Sequence, residues 1–438
     1  MTKRCFTALS MTKRSEGSKE INQNIEIKIQ NFDILTNHYQ MTKTKTHKGR
    51  IGLLLSAAPG YSETFFSSKI KGLKESGFDL VLFCSENQHG FKDCPVVLLP
   101  QQAKNKLILG IKLVWVFLGL LPYVKTLRRF VQLERTDGKA WLPILKRLYT
   151  HAPVFKQDLD CLHFGFETLA LGCENMAAAI QADMAVSFRG FDIGVYPIKH
   201  PQCYSSLWDK VSKIHVISDD IKQLLYTHGF RDQAPVVKIT PAIDTHYFST
   251  EQGHVGEEHP IQLITVARLH WKKGLEYTLE ALALLKQQGI AFEYRIIGSG
   301  PEEEALKFAC YQLGLQAQVF FLGKLGPEEV KQQLTQAQYY IQYSVQEGFC
   351  NAVLEAQAMG LLCVVSDAEG LAENVLEGKT GWVVPKRNPQ LLSEKMIEVI
   401  QMTEMEKQRI THDASFRVQE TFSIETQIQK FTQFYSDK

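Results

Sequence analysis

The sequence predicts an α/β protein with two doubly wound parallel sheets. Short apolar runs alternate with segments of helical periodicity along most of the chain. The alternation stops in the polar stretch 250–260 and starts again with a strand at Ile261. Polar, glycine-containing loops follow several of the apolar runs, as is typical of parallel sheets that bind ligands at the carboxyl edge. We therefore expect two Rossmann-like domains joined near residue 250.

The composition is that of an ordinary globular protein. The 438 residues carry a formal net charge of +2 and 45% hydrophobic side chains, which favours neither nucleic-acid binding nor disorder of the whole chain. The nine cysteines are scattered singly and form no C-x-x-C pair. We therefore expect free thiols in a reducing cytosol and no structural zinc.

The first 48 residues are polar, and the tripeptide Met-Thr-Lys occurs there at positions 1, 11 and 41. No apolar segment follows the basic start, as a secretory signal would require. We expect residues 1–48 to be a disordered extension, with either Met1 or Met41 as the native start.

The first predicted domain opens with a strand at residues 50–57 and a helix at residues 63–77. The loop between them contains Gly60, Ser62 and Glu63, and it follows the carboxyl end of the strand. Ligands dock at that edge in open α/β sheets. For Ser62, a plain helix N-cap is an equally good interpretation.

The most apolar stretch of the chain is 107–124, which Lys112 and Pro122 interrupt. A membrane-spanning helix needs about 20 apolar residues in succession. The basic residues that flank the stretch are Lys104, Lys106, Lys125, Arg128, Arg129, Arg135, Lys139, Lys146 and Arg147. An apolar, basic-rimmed region over 104–147 suits contact with an anionic membrane surface, and a buried core helix is the alternative.

Further strands are predicted at residues 160–165, 184–188, 213–218 and 236–240. His163, Arg189 and Asp192 lie in or after two of these strands, so we expect them at the same edge as Gly60. For His163, a structural histidine is the alternative.

The second predicted domain places two cations directly after its first strand. Arg268 and Lys273 precede a helix whose leucines recur at helical spacing, so both belong to the loop. Arg binds as a fork and Lys as a point charge, which together make a clamp for a diphosphate. Solvated surface cations are the alternative. The next strand ends at Gly298.

The segment 347–355 is predicted to be a glycine turn between a strand and a helix. Such a turn offers unpaired backbone N–H groups and the positive end of the helix dipole. Glu347 and Glu355 lie roughly 8 to 12 Å apart at 1.5 Å per residue. They could accept hydrogen bonds from the hydroxyls at the two ends of a sugar nucleotide. A capping acid and a solvated helix Glu are the alternative.

With these motifs, residues from about 50 to 435 resemble a family 4 glycosyltransferase of GT-B architecture, in which two Rossmann-like domains face each other across a cleft. The matching segments are 266–269, 272–274, 297–301, 347–356, and Gly370 with Glu373. Segments 59–65 and 187–192 are similar to bacterial enzymes of colanic-acid and other exopolysaccharide synthesis. The resemblance implies an acceptor-side domain at 49–245, a nucleotide-sugar domain at 246–415, and a helix at 416–438 that packs back on the first domain.

The resemblance also implies residue roles. Arg268 and Lys273 would bind the donor diphosphate, Glu347 the donor-sugar hydroxyls and Glu355 the ribose, with Glu347, Arg268 and Lys273 as the catalytic set. The N–H groups of Phe349 and Cys350 would bind donor sugar or phosphate. The remaining donor-side residues are Gly60, Gly298, Gly348, Asn351 and Leu354. The implied acceptor-side residues are Ser62, Glu63, His163, Arg189 and Asp192.

The implied activity is retaining transfer of a hexosyl unit from a UDP- or GDP-sugar to a saccharide or lipid-linked acceptor. No metal, other cofactor or nucleic acid would take part, and the enzyme would be cytoplasmic, at the inner face of the plasma membrane. Arg189 stands where many relatives carry His and cannot act as a base, so its role would be electrostatic, or the sugar would bind differently. An inactive sugar-nucleotide-binding subunit and a sugar-nucleotide epimerase are the alternatives.

Overall fold

The computed structural model describes residues 48–60, 64–88, 90–101, 105–249 and 260–437. The predicted extension, with both candidate start sites, lies outside the described residues apart from Lys48. Ser62, Glu63 and most of the predicted 250–260 connection also lie outside them.

The described part of the first half forms a seven-stranded parallel sheet in the order β3-β2-β1-β4-β5-β6-β7. Its strands are β1 (Arg50–Leu54), β2 (Asp79–Cys84), β3 (Val96–Leu98), β4 (Cys161–Phe164), β5 (Asp183–Phe188), β6 (Lys213–Val216) and β7 (Val236–Lys238). Successive side chains of β2 enter different cores: Leu80 and Leu82 pack on one face, and Val81 and Phe83 on the other. The sheet is thus covered on both faces, which explains its nearly continuous apolar runs.

Helices cover both faces of this sheet. They are α1 (Thr64–Glu75), α2 (Lys106–Leu118), α3 (Val124–Thr136), α4 (Trp141–Thr150), α5 (Ala152–Phe155), α6 (Glu167–Ala170), α7 (Met176–Ile180), α8 (Gly190–Gly194), α9 (Tyr196–Lys199), α10 (Ser205–Trp208) and α11 (Asp219–Thr227). A 3-10 turn, Leu121–Tyr123, separates α2 from α3. The helices α2 to α4 fill the long connection from β3 to β4.

The second half repeats the plan with a six-stranded parallel sheet, in the order β10-β9-β8-β11-β12-β13 over the described residues. Its strands are β8 (Ile261–Val266), β9 (Phe292–Ile297), β10 (Val319–Gly323), β11 (Tyr339–Gln342), β12 (Leu362–Ser366) and β13 (Trp382–Val384). Its helices are α12 (Leu275–Gln287), α13 (Glu303–Gln312), α14 (Pro327–Thr335), α15 (Asn351–Ala358) and α16 (Pro389–Ile400), with 3-10 segments at Trp271–Lys273 and Glu369–Asn374. Both sheets follow the Rossmann order, so the predicted fold class is confirmed.

The chain ends in two helices, α17 (Glu404–Phe422) and α18 (Ile424–Ser436). The predicted boundary between 415 and 416 falls inside α17, so the change of direction comes later than expected. It occurs at Ser423, whose extended backbone and hydroxyl cap the start of α18. The helix α18 packs against α1, and the Nζ of buried Lys69 lies 3.9 Å from the centroid of the Phe431 ring. A C-terminal helix therefore does pack back on the first domain.

A buried chain of hydrogen bonds ties α18 to the first sheet. Tyr435 OH contacts His163 Nδ1, His163 Nε2 lies 2.7 Å from Ser187 Oγ, and that oxygen lies 2.8 Å from His215 Nδ1. His215 Nε2 lies 2.9 Å from the carbonyl oxygen of Ile239. That carbonyl can only accept, so His215 Nε2 donates to it, and His215 Nδ1 accepts from the Ser187 hydroxyl. Ser187 Oγ in turn accepts from His163 Nε2, and His163 Nδ1 accepts from Tyr435 OH.

The expectation that His163 lies at the acceptor site is therefore wrong. Its side chain is fully buried, and both ring nitrogens have protein partners. The structural alternative explains it, since a neutral imidazole with one donor and one acceptor fits this chain of hydrogen bonds.

No single described helix is long and apolar enough to cross a membrane. By length and composition alone, one pair of helical segments would suffice, Leu109–Leu118 and Leu121–Thr136, with a bend of 51° between them.

The buried histidines should make the fold sensitive to acid. Burial and the nearby charge of Lys69 lower the pKa of both His163 and His215. In the unfolded chain both rings take up protons as the pH falls through about 6.5, whereas in the fold they stay neutral. The free energy of unfolding should therefore fall as the pH falls below about 6.5.

Urea unfolding over a pH series measures this effect. The variant His163→Gln should reduce the slope of unfolding free energy against pH by about one proton, and His412→Gln, at an exposed position, is the control. Equal slopes in the wild type and in His163→Gln would contradict the prediction.

Candidate functional site

The predicted donor-side residues meet at the switch point of the second sheet. Strands β8 and β11 are neighbours there, although two strand-helix units separate them in sequence. Arg268 and Lys273 follow β8, and Glu347 follows β11, so all three lie at the carboxyl edge. In open α/β sheets, ligands bind outside this edge, where the strand order reverses.

Backbone contacts bring these two loops together. The carbonyl oxygen of Lys272 accepts from Val345 N at 2.7 Å. Gly298, at the end of β9, has φ +140°, and a Cβ there would lie 1.9 Å from the carbonyl oxygen of Ala267. Only glycine allows β9 to approach the Arg268 loop this closely. Gly298 thus shapes the loop through its backbone.

Lys273 and Glu347 form an ion pair through Nζ and Oε2. Their side chains are only 21% and 16% exposed. Burial by itself would lower the pKa of Lys273, but the Glu347 carboxylate outweighs it, and that pKa lies above its ordinary value. Arg268 is exposed beside the pair. The loops thus hold two cations and an acid at one point of the cleft.

The helix α15 begins four residues after Glu347, with Cys350 as its N-cap and no side-chain cap from that residue. Asn351 is its first residue, and among the described residues Phe349 N has no acceptor. Cys350 N donates to Asn374 Oδ1 at 3.1 Å, and Asn374 Nδ2 donates to Cys350 O at 2.8 Å. The prediction that Cys350 N–H is available to a donor is therefore wrong, because Asn374 already satisfies it.

Two predicted donor-side side chains face the core. Leu354 is fully buried and packs in the same apolar cluster as Phe422. Cys350 is buried as well, and burial raises the pKa of its thiol to about 12. Leu354 precedes Glu355 by one residue, about 100° around the helix, so the two cannot share a face. The expected donor contact of Leu354 is wrong.

Glu355 lies on the less buried side of α15. Among the described residues, no cation or hydrogen-bond donor engages its carboxylate. Burial raises the pKa of this group to about 7. Near neutral pH it therefore exists in both protonation states, and its oxygens can accept hydrogen bonds from hydroxyl groups.

The first domain meets this loop across the cleft. Gly190 begins α8 after β5, and a Cβ there would lie 3.3 Å from the Cα of Gly348. A Cβ on Gly370 would lie 1.9 Å from the carbonyl oxygen of Gly348, so the loops after β5, β11 and β12 are in backbone contact. Asp192 lies in α8, and Gly60 is the last described residue of the loop after β1.

Arg189 packs against aromatic rings of the first domain. Its guanidinium carbon lies 4.2, 4.9 and 5.5 Å from the ring centroids of Phe65, Phe66 and Phe166. Its backbone N–H donates to the Glu167 carboxylate at 3.3 Å. Its electrostatic role toward a ligand stays a prediction.

The 3-10 segment Glu369–Asn374 contributes contacts to the site that the sequence did not predict. Besides the two hydrogen bonds of Asn374, Glu369 Oε2 accepts from Glu347 N at 2.9 Å, and its other oxygen lies 3.2 Å from Lys386 Nζ. Gly370 and Glu373 belong to the matching motif, but none of these residues was placed in the site. Only the G-x-x-E spacing after a strand could have pointed to them.

Glu373 connects the segment to the other domain. Its Oε1 accepts from Asp219 N at 2.7 Å and from Asp220 N at 3.4 Å, at the N-terminus of α11. Its Oε2 lies 3.2 Å from Lys238 Nζ. An acid at a helix N-terminus with a cation beside it is a favourable contact. One short segment thus touches both the loop after β11 and the first domain.

No group of three or more His, Cys, Asp or Glu residues is arranged to hold a metal within the described ranges.

The chain is similar to known glycosyltransferases in sequence and in fold. A model of the family described as glycosyl transferases group 1 matches residues 249–414. The putative colanic acid biosynthesis glycosyltransferase WcaL of Escherichia coli K12 is 27% identical over 406 residues, which are 85% of this chain and 96% of that protein. The amylovoran biosynthesis glycosyltransferase AmsK of Erwinia amylovora is 30% identical over 258 residues, 56% of this chain and 62% of that protein.

Solved structures share the whole fold at low identity. Anabaena Alr3699/HepE in complex with UDP-glucose matches with a TM-score of 0.65 and 17% identity, over 89% of this chain and 100% of that one. A glycosyltransferase from Rickettsia africae gives a TM-score of 0.65 and 17% identity, over 89% and 98%. The chain therefore carries a group 1 glycosyl transferase domain over residues 249–414 and has the GT-B fold of glycosyltransferases.

Proposed function

We propose that the protein is an active, retaining glycosyltransferase of surface-polysaccharide synthesis. It moves a hexosyl unit from a UDP- or GDP-sugar to a saccharide or lipid-linked acceptor in the cytoplasm. The observation that carries the proposal is the Lys273–Glu347 pair beside Arg268 and the uncapped start of α15. The similarity to WcaL and AmsK supports the pathway class, and the similarity to Anabaena HepE, solved with UDP-glucose, supports the donor class.

The charges suit a nucleoside diphosphate. Arg268, Lys273 and the N-terminal N–H groups of α15 present positive charge on one side of the cleft. A diphosphate would offer Lys273 a second anionic partner in competition with Glu347. Glu347 would then accept hydrogen bonds from the sugar, while Glu355 accepts them from the ribose.

The same groups would assist departure of the nucleoside diphosphate. Negative charge grows on the leaving phosphate as the glycosidic bond breaks, and fixed cations and a helix dipole stabilise that charge without reorganising. We therefore propose transfer that needs no metal, with activity that persists in EDTA.

A donor screen tests the function. Thermal shift with UDP- and GDP-sugars should identify a stabilising donor, and nucleotide release with an acceptor should follow, with an α-linked donor giving an α-linked product by NMR. Binding without release under any acceptor would favour an inactive subunit. An altered free sugar nucleotide would favour an epimerase, and no binding at all would contradict the proposal.

Glu355 should make donor binding depend on pH. Its pKa of about 7 means that the acceptor form of the carboxylate declines as the pH falls through neutrality. Donor affinity in the wild type should therefore weaken below about pH 7, and Glu355→Gln should bind about tenfold more weakly at pH 8. Isothermal titration calorimetry measures both effects.

The same variant should also change stability. Because the folded carboxyl ionises at about 7 and an ordinary one at 4.5, this group destabilises the fold increasingly as the pH rises from 4.5 to 7. Glu355→Gln should therefore be more stable at pH 8, by on the order of 2 kcal/mol. Glu280→Gln, at an exposed position within α12, should change neither property, and unchanged donor affinity in Glu355→Gln would remove Glu355 from the site.

The two residues of the ion pair should have different roles, Lys273 in donor binding and Glu347 in turnover. Lys273→Ala should weaken donor binding about 10- to 100-fold, because it removes a charged hydrogen bond to phosphate. Glu347→Ala should mainly lower kcat, since it acts on the transferred sugar. Steady-state kinetics and calorimetry separate the two, with Lys379→Ala as an exposed control. Kinetics equal to wild type in both site variants would refute these assignments.

Glu373 should act on turnover more than on donor affinity. Glu373→Gln removes the carboxylate that joins the donor segment to α11, so kcat/KM should fall about tenfold, while the Kd for UDP stays near wild type. Asp219→Asn removes the partner of Lys238 that lies within the first domain and serves as the control. Equal effects of both variants would show that the contact between domains has no special role.

A further inference from the structure

A large apolar surface is exposed on the first domain. Of the twenty large apolar side chains that are exposed in the described chain, ten lie between residues 111 and 145. We call this the α2–α4 surface. Its members are Ile111, Val114, Trp115, Leu118, Leu121, Tyr123, Val124, Trp141, Leu142 and Leu145. Scattered exposed apolar residues are normal, but a contiguous group marks a binding surface.

The helix α2 is apolar on two sides. Val116 and Phe117 pack on the core of the first domain. Ile111, Val114, Trp115 and Leu118 follow the spacing i, i+3, i+4 and i+7, which places them on one stripe, and Trp115 is 72% exposed. A helix with a second, exposed apolar stripe needs an apolar partner on that side.

The helix α4 extends the surface. Ile144 and Leu148 are buried, whereas Trp141, Leu142 and Leu145 are 57%, 78% and 46% exposed. The helices α2 and α4 pack against each other. Their exposed apolar side chains therefore belong to one region of the surface.

The region is strongly basic. Residues 105–150 contain nine Lys or Arg and two Asp or Glu. The remainder of the chain contains 40 Lys or Arg and 45 Asp or Glu. Both acidic residues are already paired within the protein, Glu134 with Arg147 and Asp137 with Lys210. The exposed cations around the apolar side chains are Lys112, Lys125, Arg128, Arg135 and Lys146. An anionic, apolar partner would complement this surface.

The charge argues against a second copy of the chain as that partner. A twofold dimer would place the same basic surface against itself, with like charges opposed. A bilayer that contains anionic lipid satisfies both properties, because acyl chains receive the apolar stripe and phosphates receive the cations. Trp115 and Trp141 are also of the residue type that is enriched at membrane interfaces.

We propose that the α2–α4 surface docks the enzyme onto an anionic phospholipid bilayer. The helix α2 begins at Lys106, eight residues after the end of β3, and the carboxyl end of β3 belongs to the edge that carries Gly60 and Arg189. Docking therefore holds the acceptor side of the cleft near the lipid, where a lipid-linked acceptor would lie. That last step rests on the proposed function, whereas the docking itself does not.

Flotation of the full chain with vesicles tests the proposal. Vesicles of phosphatidylglycerol and phosphatidylcholine should carry the protein to the top of the gradient, and vesicles of phosphatidylcholine alone should carry much less. Binding should weaken strongly in about 1 M salt, where the Debye length falls to about 3 Å.

Two surface variants and two matched controls identify the contact. Trp115→Ser with Leu142→Ser should weaken binding at least about tenfold, and Lys125→Glu with Arg128→Glu at least about 25-fold, since each cation near an anionic surface contributes about fivefold. The controls, Phe308→Ser and Arg409→Glu, change an exposed aromatic residue and an exposed cation of the second domain. Both should bind vesicles like wild type.

Three outcomes would overturn the docking proposal. They are no flotation with anionic vesicles at low salt, equal losses in the surface and control variants, and a wild-type dimer in ultracentrifugation that Trp115→Ser dissociates. Donor affinity without vesicles should be equal in all variants. A chain that floats but binds no sugar nucleotide would leave docking intact and contradict only the proposed function.

Discussion

The architecture of the site depends on the ion pair between Lys273 and Glu347. Each comes from a different loop, and the two loops meet because β8 and β11 are neighbours at the switch point of the sheet. A pair this poorly exposed is costly to desolvate, so its geometry must be fixed from outside. Gly298 lets the end of β9 approach the Arg268 loop closely, and the Glu369 carboxylate accepts a hydrogen bond from the backbone N–H of Glu347. Backbone packing thus sets the position of the charges.

The loop after β11 is fixed from both domains. On its own side, Asn374 holds Cys350 at two backbone atoms, and in the same 3-10 segment Glu373 caps the helix α11 of the first domain. The ring centroid of Phe349 also lies 5.6 Å from that of Phe422, the last residue of α17. A change in the relative position of the domains would therefore reach the loop through a polar contact and an apolar contact at once.

The sequence predicted the fold well because parallel strands that are buried on both faces read as apolar runs. It also placed Arg268, Lys273 and Glu347 at one edge, since loops at the carboxyl ends of such strands must converge. It failed where a polar group has a distant partner: Tyr435 satisfies His163 across 272 positions, and Asn374 satisfies the amide of Cys350. Leu354 was misplaced because matching a motif says nothing about which side of a helix faces the core.

Two acids at the start of one helix differ because their surroundings differ. Glu347 is paired with Lys273, whereas Glu355 is buried with no cation beside it among the described residues, and burial raises its pKa to about 7. A neutral hydroxyl can donate a hydrogen bond to Glu355, but it cannot replace the charge that Lys273 places beside Glu347. The two acids are therefore not interchangeable. A diphosphate between them would compete for Lys273 and release Glu347, while ribose hydroxyls would favour the ionised form of Glu355. Under the proposed function, binding of the donor would therefore engage both acids at once, through different partners.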